Sequence, residues 1–213
     1  MKTELINIAK DREYAKQRAV YHLQNGDMIG FPTETVYGVG CNIFNIKAIE
    51  KIYELKSRSN KKPLSAHIGH IDDVERLCKE IPGSFYILAE KFLPGPLAVI
   101  LKKKEHIPDI ATAGLSTIGI RFPDHESITE IIRESGAPVA GTSANISGSK
   151  HAISGKEVMS IFDGKLPLIL DDGETKYARE STVISLCEET PVCFREGEVK
   201  IEQLEELLSV RFL

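Results

Sequence analysis

"FPTETVYG", residues 31–38, lies between two short apolar runs, Met28-Ile29-Gly30 and Val39-Gly40-Cys41. The flanking runs read as strands, yet the stretch between them carries two threonines, a glutamate, a tyrosine and a glycine instead of a compact turn. Hydroxyls at a strand end can satisfy turn backbone groups. They can equally bind a small polar ligand, with Gly38 letting backbone approach closely. Taken alone, the turn reading is the stronger.

Outward from this point the apolar periodicity alternates between strand and helix along the whole chain. "ELINI" reads as a strand, and Asp11 caps a helix ending near Gln24, before Asn25-Gly26. Residues 45–57 place Ile46, Ile49, Ile52, Tyr53 and Leu55 at helical spacing. "LSAHIG" is a strand, followed by helices from Asp72 through Lys79 and over 84–92. Pro94-Gly95-Pro96 then turns the chain into the strand "LAVILKK". "TIGIRFP" is a strand, 125–135 a helix, "PVAG" a buried strand and "EVMSIF" helical. "LPLIL" is a strand, "STVISLCEETPVCF" a hairpin turning near 188–190, and "IEQLEELLSV" a closing helix. Without a repeat or a long linker, this points to a single α/β domain whose sheet need not be all parallel.

At 213 residues, 42% hydrophobic, the chain can bury a real core. The net charge of −4 argues against a uniformly basic nucleic-acid binder, though not against a local basic groove. The four cysteines, Cys41, Cys78, Cys187 and Cys193, show no CxxC pair and read as reduced thiols, with Cys78 in a helical pattern. "MKTELINIAKDREY" lacks the apolar core of a signal peptide, and no run approaches a membrane span. A soluble, cytoplasmic protein without membrane contact is expected.

Three further clusters could carry chemistry. Residues 55–70 hold Lys56, Arg58, Lys61, Lys62, His67 and His70 with no acidic residue. Cations at a helix end complement its dipole. That accounts for Lys56 and Arg58 but not for charge continuing to Pro63, which suits a phosphate. His67 and His70, three apart in a strand, face opposite ways and make no metal pair. "PVAGTSANISG", 138–148, runs from a strand into Gly141, Thr142, Ser143, Asn145 and Ser147, either a plain loop or a nest for an anion. The last cluster is Arg121, Ser181-Thr182 and Arg195. Alternation sets Ile118, Ile120 and Phe122 on one face and Gly119 and Arg121 on the other. Each arginine alone reads as surface, but together these clusters look like an anionic-substrate cleft. No GxSxG, HExxH or Cys–His pair offers a nucleophile, so chemistry would rest on positioning and electrostatics.

These motifs, in this order, resemble the YrdC/TsaC family, the L-threonylcarbamoyladenylate synthases. "PTETVYG" matches the opening signature, Lys56-Ser57-Arg58 the K-x-R, and "KPL" with His67 the next strand. Ser143-Ala144-Asn145 matches the S-x-N, with "ESTV" at 180–183 and "REG" at 195–197 completing the series. The resemblance implies one YrdC-like domain over 1–213, with its core at about 10–200 and a C-terminal helix at 201–210. It implies a twisted mixed sheet, flanking helices and a large concave cleft. The implied reaction joins L-threonine, bicarbonate and ATP into threonylcarbamoyl-AMP and pyrophosphate, a nucleotidyl transfer and the first step of tRNA N6-threonylcarbamoyladenosine formation. Mg²⁺ would ride with ATP, with no tightly held protein-ligated metal. Transferase proteins act downstream, and direct contact with tRNA is allowed but not required.

By the same resemblance, Lys56 and Arg58 are the catalytic pair. L-threonine falls to Thr35, His67, Arg121, Gly141 and Ser181. ATP falls to Arg58, Lys62, Thr117, Ser143, Asn145, His151 and Arg195. Departures from the family pattern are Ser59, where proline is common, Ala98, where threonine is usual, "SKHA" at 149–152, which puts His151 in place of a serine, and Ala178-Arg179 before "ESTV". A catalytically silent RNA-binding paralogue would show decayed K-x-R and S-x-N pairs, and both are intact. The carbamoyl-transfer domains of hydrogenase-maturation proteins sit beside zinc-finger and acylphosphatase segments that this sequence lacks. The extra C-terminal domain of longer relatives is not expected.

Overall fold

In the computed structural model, which describes residues 2–213, ten strands form one mixed sheet. The strands are β1 (Glu4–Asn7), β2 (Ile29–Phe31), β3 (Gly38–Asn42), β4 (Ser65–His67), β5 (Leu97–Lys102), β6 (Thr117–Arg121), β7 (Val139–Ser143), β8 (Leu168–Asp171), β9 (Thr182–Ser185) and β10 (Val192–Arg195). Their order is β1-β8-β2-β3-β7-β4-β6-β5-β9-β10. β8 pairs parallel with β1 and β2, as do β4 with β6 and β5 with β9. The other neighbours are antiparallel. The opening stretch is therefore the connection of an antiparallel pair, with Phe31 opposite Gly38.

Among the described residues, seven α-helices flank the sheet: α1 (Arg12–Gln24), α2 (Ile46–Leu55), α3 (Asp73–Leu77), α4 (Gly83–Phe92), α5 (Glu126–Ser135), α6 (Gly155–Phe162) and α7 (Ile201–Leu208). Asp11 caps α1 by accepting from Tyr14 N at 3.0 Å, and Asn45 caps α2 by accepting from Ala48 N at 3.0 Å. The helix expected through Lys79 stops at Leu77. Cys78 takes extended backbone and bridges Lys103, while Lys79 N donates to Lys102 O. This non-local pairing leaves no trace in helical periodicity.

The two sheet faces are covered unequally, and that difference makes the cleft. α2, α4 and α6 pack on one face against Val39, Ala66, Val99, Ile118, Ile120 and Ile184. α1 and α5 cover the other face beside Ile29, Phe31, Val139, Leu168 and Leu170, towards the β1 edge. The rest of that second face, over β4, β6, β5 and β9, forms the floor of a cavity. Among the described residues, no helix is long and apolar enough to cross a membrane.

Candidate active site

Register explains why the floor is concave. Residues opposite each other across strands share a face. One row therefore runs His67, Arg121, Ala98, Val183, and the adjacent row runs Gly141, Ser65, Gly119, Ile100. Glycine, serine and alanine at the centre leave a hollow of about 670 Å³, a size ordinary for a small-molecule site.

Its inner end is lined by buried polar side chains. Arg121 is 3% exposed and forms a buried ion pair with Glu34, which is 4% exposed. The same guanidinium donates to the carbonyls of Gly95 and Phe122 and reaches Thr35 Oγ1 at 3.5 Å. Glu34 Oε2 is buried without a hydrogen-bond partner. His67 stands edge-on to Phe31, with ring centroids 5.4 Å apart, and its buried Nδ1 has no partner. Burial, and then the neighbouring Arg121 charge, push its pKa down to about 3, so the ring is neutral. An added Cβ on Gly141 would lie 2.8 Å from His67 Nδ1, so a glycine there gives the ring its space.

The 32–37 connection folds over this end through its own hydroxyls. Thr33 Oγ1 donates to Val36 O at 2.7 Å and lies 2.9 Å from Thr35 Oγ1. Thr33 and Thr35 line the cavity. The Tyr37 hydroxyl instead donates to Gly173 O at 2.7 Å and accepts from Asp172 N at 3.0 Å. The Tyr37 hydroxyl thus anchors the loop to the segment after β8, while that of Thr33 braces the loop internally.

The wall opposite is cationic. Arg58 and Lys62 line it beside Ser143. Arg58 Nε donates to Lys62 O at 3.1 Å and Nη2 to Pro63 O at 2.8 Å, fixing the basic loop. Lys56, two residues earlier, is 1% exposed. Its ammonium donates to Ser143 O, to Asn145 O at 2.7 Å and to Asn145 Oδ1 at 3.0 Å. Asn145 Oδ1 also accepts from Ser143 Oγ at 2.8 Å. Burial, then Arg58, push the Lys56 pKa down to about 7. On the remaining side, Arg195 lines the cavity, pairs with Glu180 and donates through Nε to Ser181 O at 3.1 Å. His151 Nε2 lies 3.4 Å from Glu180 Oε2. His151, with help from Arg195, holds the Glu180 carboxyl below its ordinary range.

A family model, Sua5/YciO/YrdC, described as telomere recombination, matches residues 22–197. The chain belongs to the Sua5/YciO/YrdC family. Threonylcarbamoyl-AMP synthase of Pyrococcus abyssi (strain GE5 / Orsay) is 41% identical over 208 residues, covering 97% of this chain and 61% of the relative. The enzyme of that name from Bacillus subtilis (strain 168) is 41% identical over 188 residues, covering 88% and 54%. The crystal structure of P. abyssi Sua5 complexed with L-threonine superposes with a TM-score of 0.95 at 39% identity, covering 99% of this chain and 63% of that one. The chain thus spans little more than half the length of these relatives.

For this member of the Sua5/YciO/YrdC family, the structure brings most of the expected residues to one cavity. Thr35, His67, Arg121, Gly141 and Ser181 line it, as do Arg58, Lys62, Thr117, Ser143 and Arg195. Lys56 and Asn145 sit behind its wall, where Lys56 spends its donors on the 143–145 turn. His151 does not line the cavity either, because its ring is held against Glu180. Sequence reasoning passed over Glu34 and Glu180, the carboxylates that hold Arg121 and Arg195. Both stand inside quoted motifs, but their partners are remote in the chain.

Proposed function

We propose that this cavity binds L-threonine, bicarbonate and ATP and joins them as threonylcarbamoyl-AMP, releasing pyrophosphate. It is thus an ATP-dependent nucleotidyltransferase serving tRNA N6-threonylcarbamoyladenosine formation in the cytoplasm. The observation that carries this reading is a single hollow with a buried polar end at Thr35, His67 and Arg121 and a cationic wall at Arg58, Lys62 and Arg195. The likeness to a relative solved with L-threonine supports an amino acid as one of the ligands.

Arg121 faces the threonine carboxylate at the polar end, and neutral His67, Thr35 and Ser181 offer hydrogen bonds to the amine, hydroxyl and carbamate. The amine adds to bicarbonate with loss of water, giving a carbamate. A carbamate oxygen then bonds to the α-phosphorus of ATP as the bond to the bridging oxygen of the β-phosphate breaks, and pyrophosphate leaves. Arg58, Lys62 and Arg195 offset the charge growing on phosphate oxygens, and Ser143 adds a hydroxyl. Lys56 and Asn145 act through the 143–145 turn, as positioning residues. Mg²⁺ would be held mainly by the ATP phosphates, neutralising them. The donor set fits that role, since Glu180, a carboxylate lining the cavity, is already engaged by Arg195 and His151. The adenylate then passes to transferase proteins that modify tRNA.

Arg58→Ala tests the phosphate wall. ATP affinity in calorimetry is expected to fall at least about tenfold, the effect of one charge-assisted contact, with threonine affinity retained. Unchanged ATP binding would remove Arg58 from the phosphate site. Gly141→Ala tests the other end, because its Cβ displaces His67. Threonine affinity is expected to fall about tenfold or more while ATP affinity holds. Equal threonine binding would show that His67 takes no part.

A further inference from the structure

The outer end of the cavity carries an aromatic group that the reaction described above does not use. Phe194 lies in β10, is 66% exposed and lines the cavity. Regular alternation would send Phe194 and Arg195 to opposite faces. Both line the cavity because β10 is irregular at this point. Cys193 pairs with Ile184 and Arg195 with Val183, so Phe194 is an extra residue in the ladder. Such a bulge re-aims a side chain and puts two successive residues against one partner. Apolar side chains line the same cavity: Val183 and Ile100 on the floor, and Leu115, itself 48% exposed.

An exposed phenylalanine beside an arginine, in a cavity with a cationic wall, suits a ligand that joins a flat apolar plane to a polyanion. A free amino acid or a lone anion would leave the ring uncovered. On the reading of the cavity as a nucleotide site, we infer that Phe194 is the platform on which the purine base of ATP stacks. Leu115 and Val183 line the same cavity, and Arg195, the next residue, meets the phosphates. The bulge thus sets base and phosphate recognition side by side on one edge strand. The ring carries no polar atom, so it recognises the plane of the base and not its edges, and GTP is expected to stack on it as well.

The chain contains no tryptophan, so Phe194→Trp installs a single fluorescent reporter at this position. ATP is expected to quench it, and inorganic tripolyphosphate at equal occupancy is not. In calorimetry, Phe194→Ala should raise the Kd for ATP by about five- to a hundredfold, the range for losing one base–aromatic stack. Tripolyphosphate and threonine affinities should be unchanged, and Phe194→Tyr should bind ATP like the parent protein. Because the side chain is exposed, thermal midpoints of all three variants should match the parent. Undiminished ATP affinity in Phe194→Ala, or equal quenching by tripolyphosphate, would overturn the inference. Failure of the unmodified protein to bind ATP while Phe194 variants bind tripolyphosphate equally would overturn the nucleotide reading itself, and this inference with it.

Discussion

Arg121→Ala is expected to lower the free energy of unfolding by about 3–5 kcal/mol, the cost of breaking a buried ion pair from one side. The magnitude follows from what remains. Glu34 would keep a buried carboxylate whose Oε2 is already without a partner among the described residues, and Oε1 would lose its Arg121 partner. The carbonyls of Gly95 and Phe122 would lose donors as well. The sequence alone presents Arg121 as a cleft arginine whose removal affects ligand binding selectively. The buried pair adds a structural role, so one substitution should lose both threonine affinity and stability. Arg121→Met combined with Glu34→Gln separates the two. Removing both charges should restore part of the stability in urea titration, while calorimetry still finds no threonine binding. A single variant within about 0.5 kcal/mol of the parent, the range of ordinary surface changes, would contradict the buried-pair account.

Lys56→Met should be nearly as damaging for function, although Lys56 does not line the cavity. Its ammonium closes the turn that presents Ser143, and losing it strands the Asn145 carbonyl, while Ser143 O keeps Asn145 N and Asn145 Oδ1 keeps Ser143 Oγ as donors. Each buried acceptor left unsatisfied costs about 1–3 kcal/mol, partly offset by relief of a costly buried charge. The pH dependence gives a sharper readout. The folded pKa is near 7 against 10.5 for the free side chain. Between those values the unfolded chain holds a proton that the folded chain has released. Unfolding free energy from this group therefore rises with pH across the window, by at most about 1.4 kcal/mol per pH unit. Lys56→Met should lack that component, so the difference between variant and parent should widen as pH increases from 7 to 10. A difference that stays flat with pH would show that Lys56 remains charged throughout.

How far the site was legible in the sequence depended on whether a local pattern carried the information. Alternation along "TIGIRFP" placed Arg121 opposite Ile118 and Ile120, and the floor rows show it there. The basic loop and the turn after β7 could be read because runs of like charge and small polar residues are unusual in sequence. What escaped was pairing across distance. Glu34 meets Arg121 from 87 residues away, and Lys56 meets Asn145 from 89. Nothing in either segment names its partner. The extra residue at Phe194 defeats alternation for the opposite reason, since a bulge is a local fault in the pattern being read. Tyr37 looked like its threonine neighbours because a hydroxyl in a loop shows nothing of the direction in which it points. Its partners, Asp171 and Gly173, lie at the end of β8 and beyond it.

The central claim is that one cavity couples an amino acid to a nucleotide. Pyrophosphate release by the purified protein with ATP and Mg²⁺ tests it most directly, measured with and without L-threonine and bicarbonate. The account predicts release only when both are present, lost in Arg58→Ala and sharply reduced when valine replaces threonine, because valine lacks the hydroxyl that the polar end accommodates. Release that ignores threonine, or none at all from folded protein that binds ATP, would contradict it.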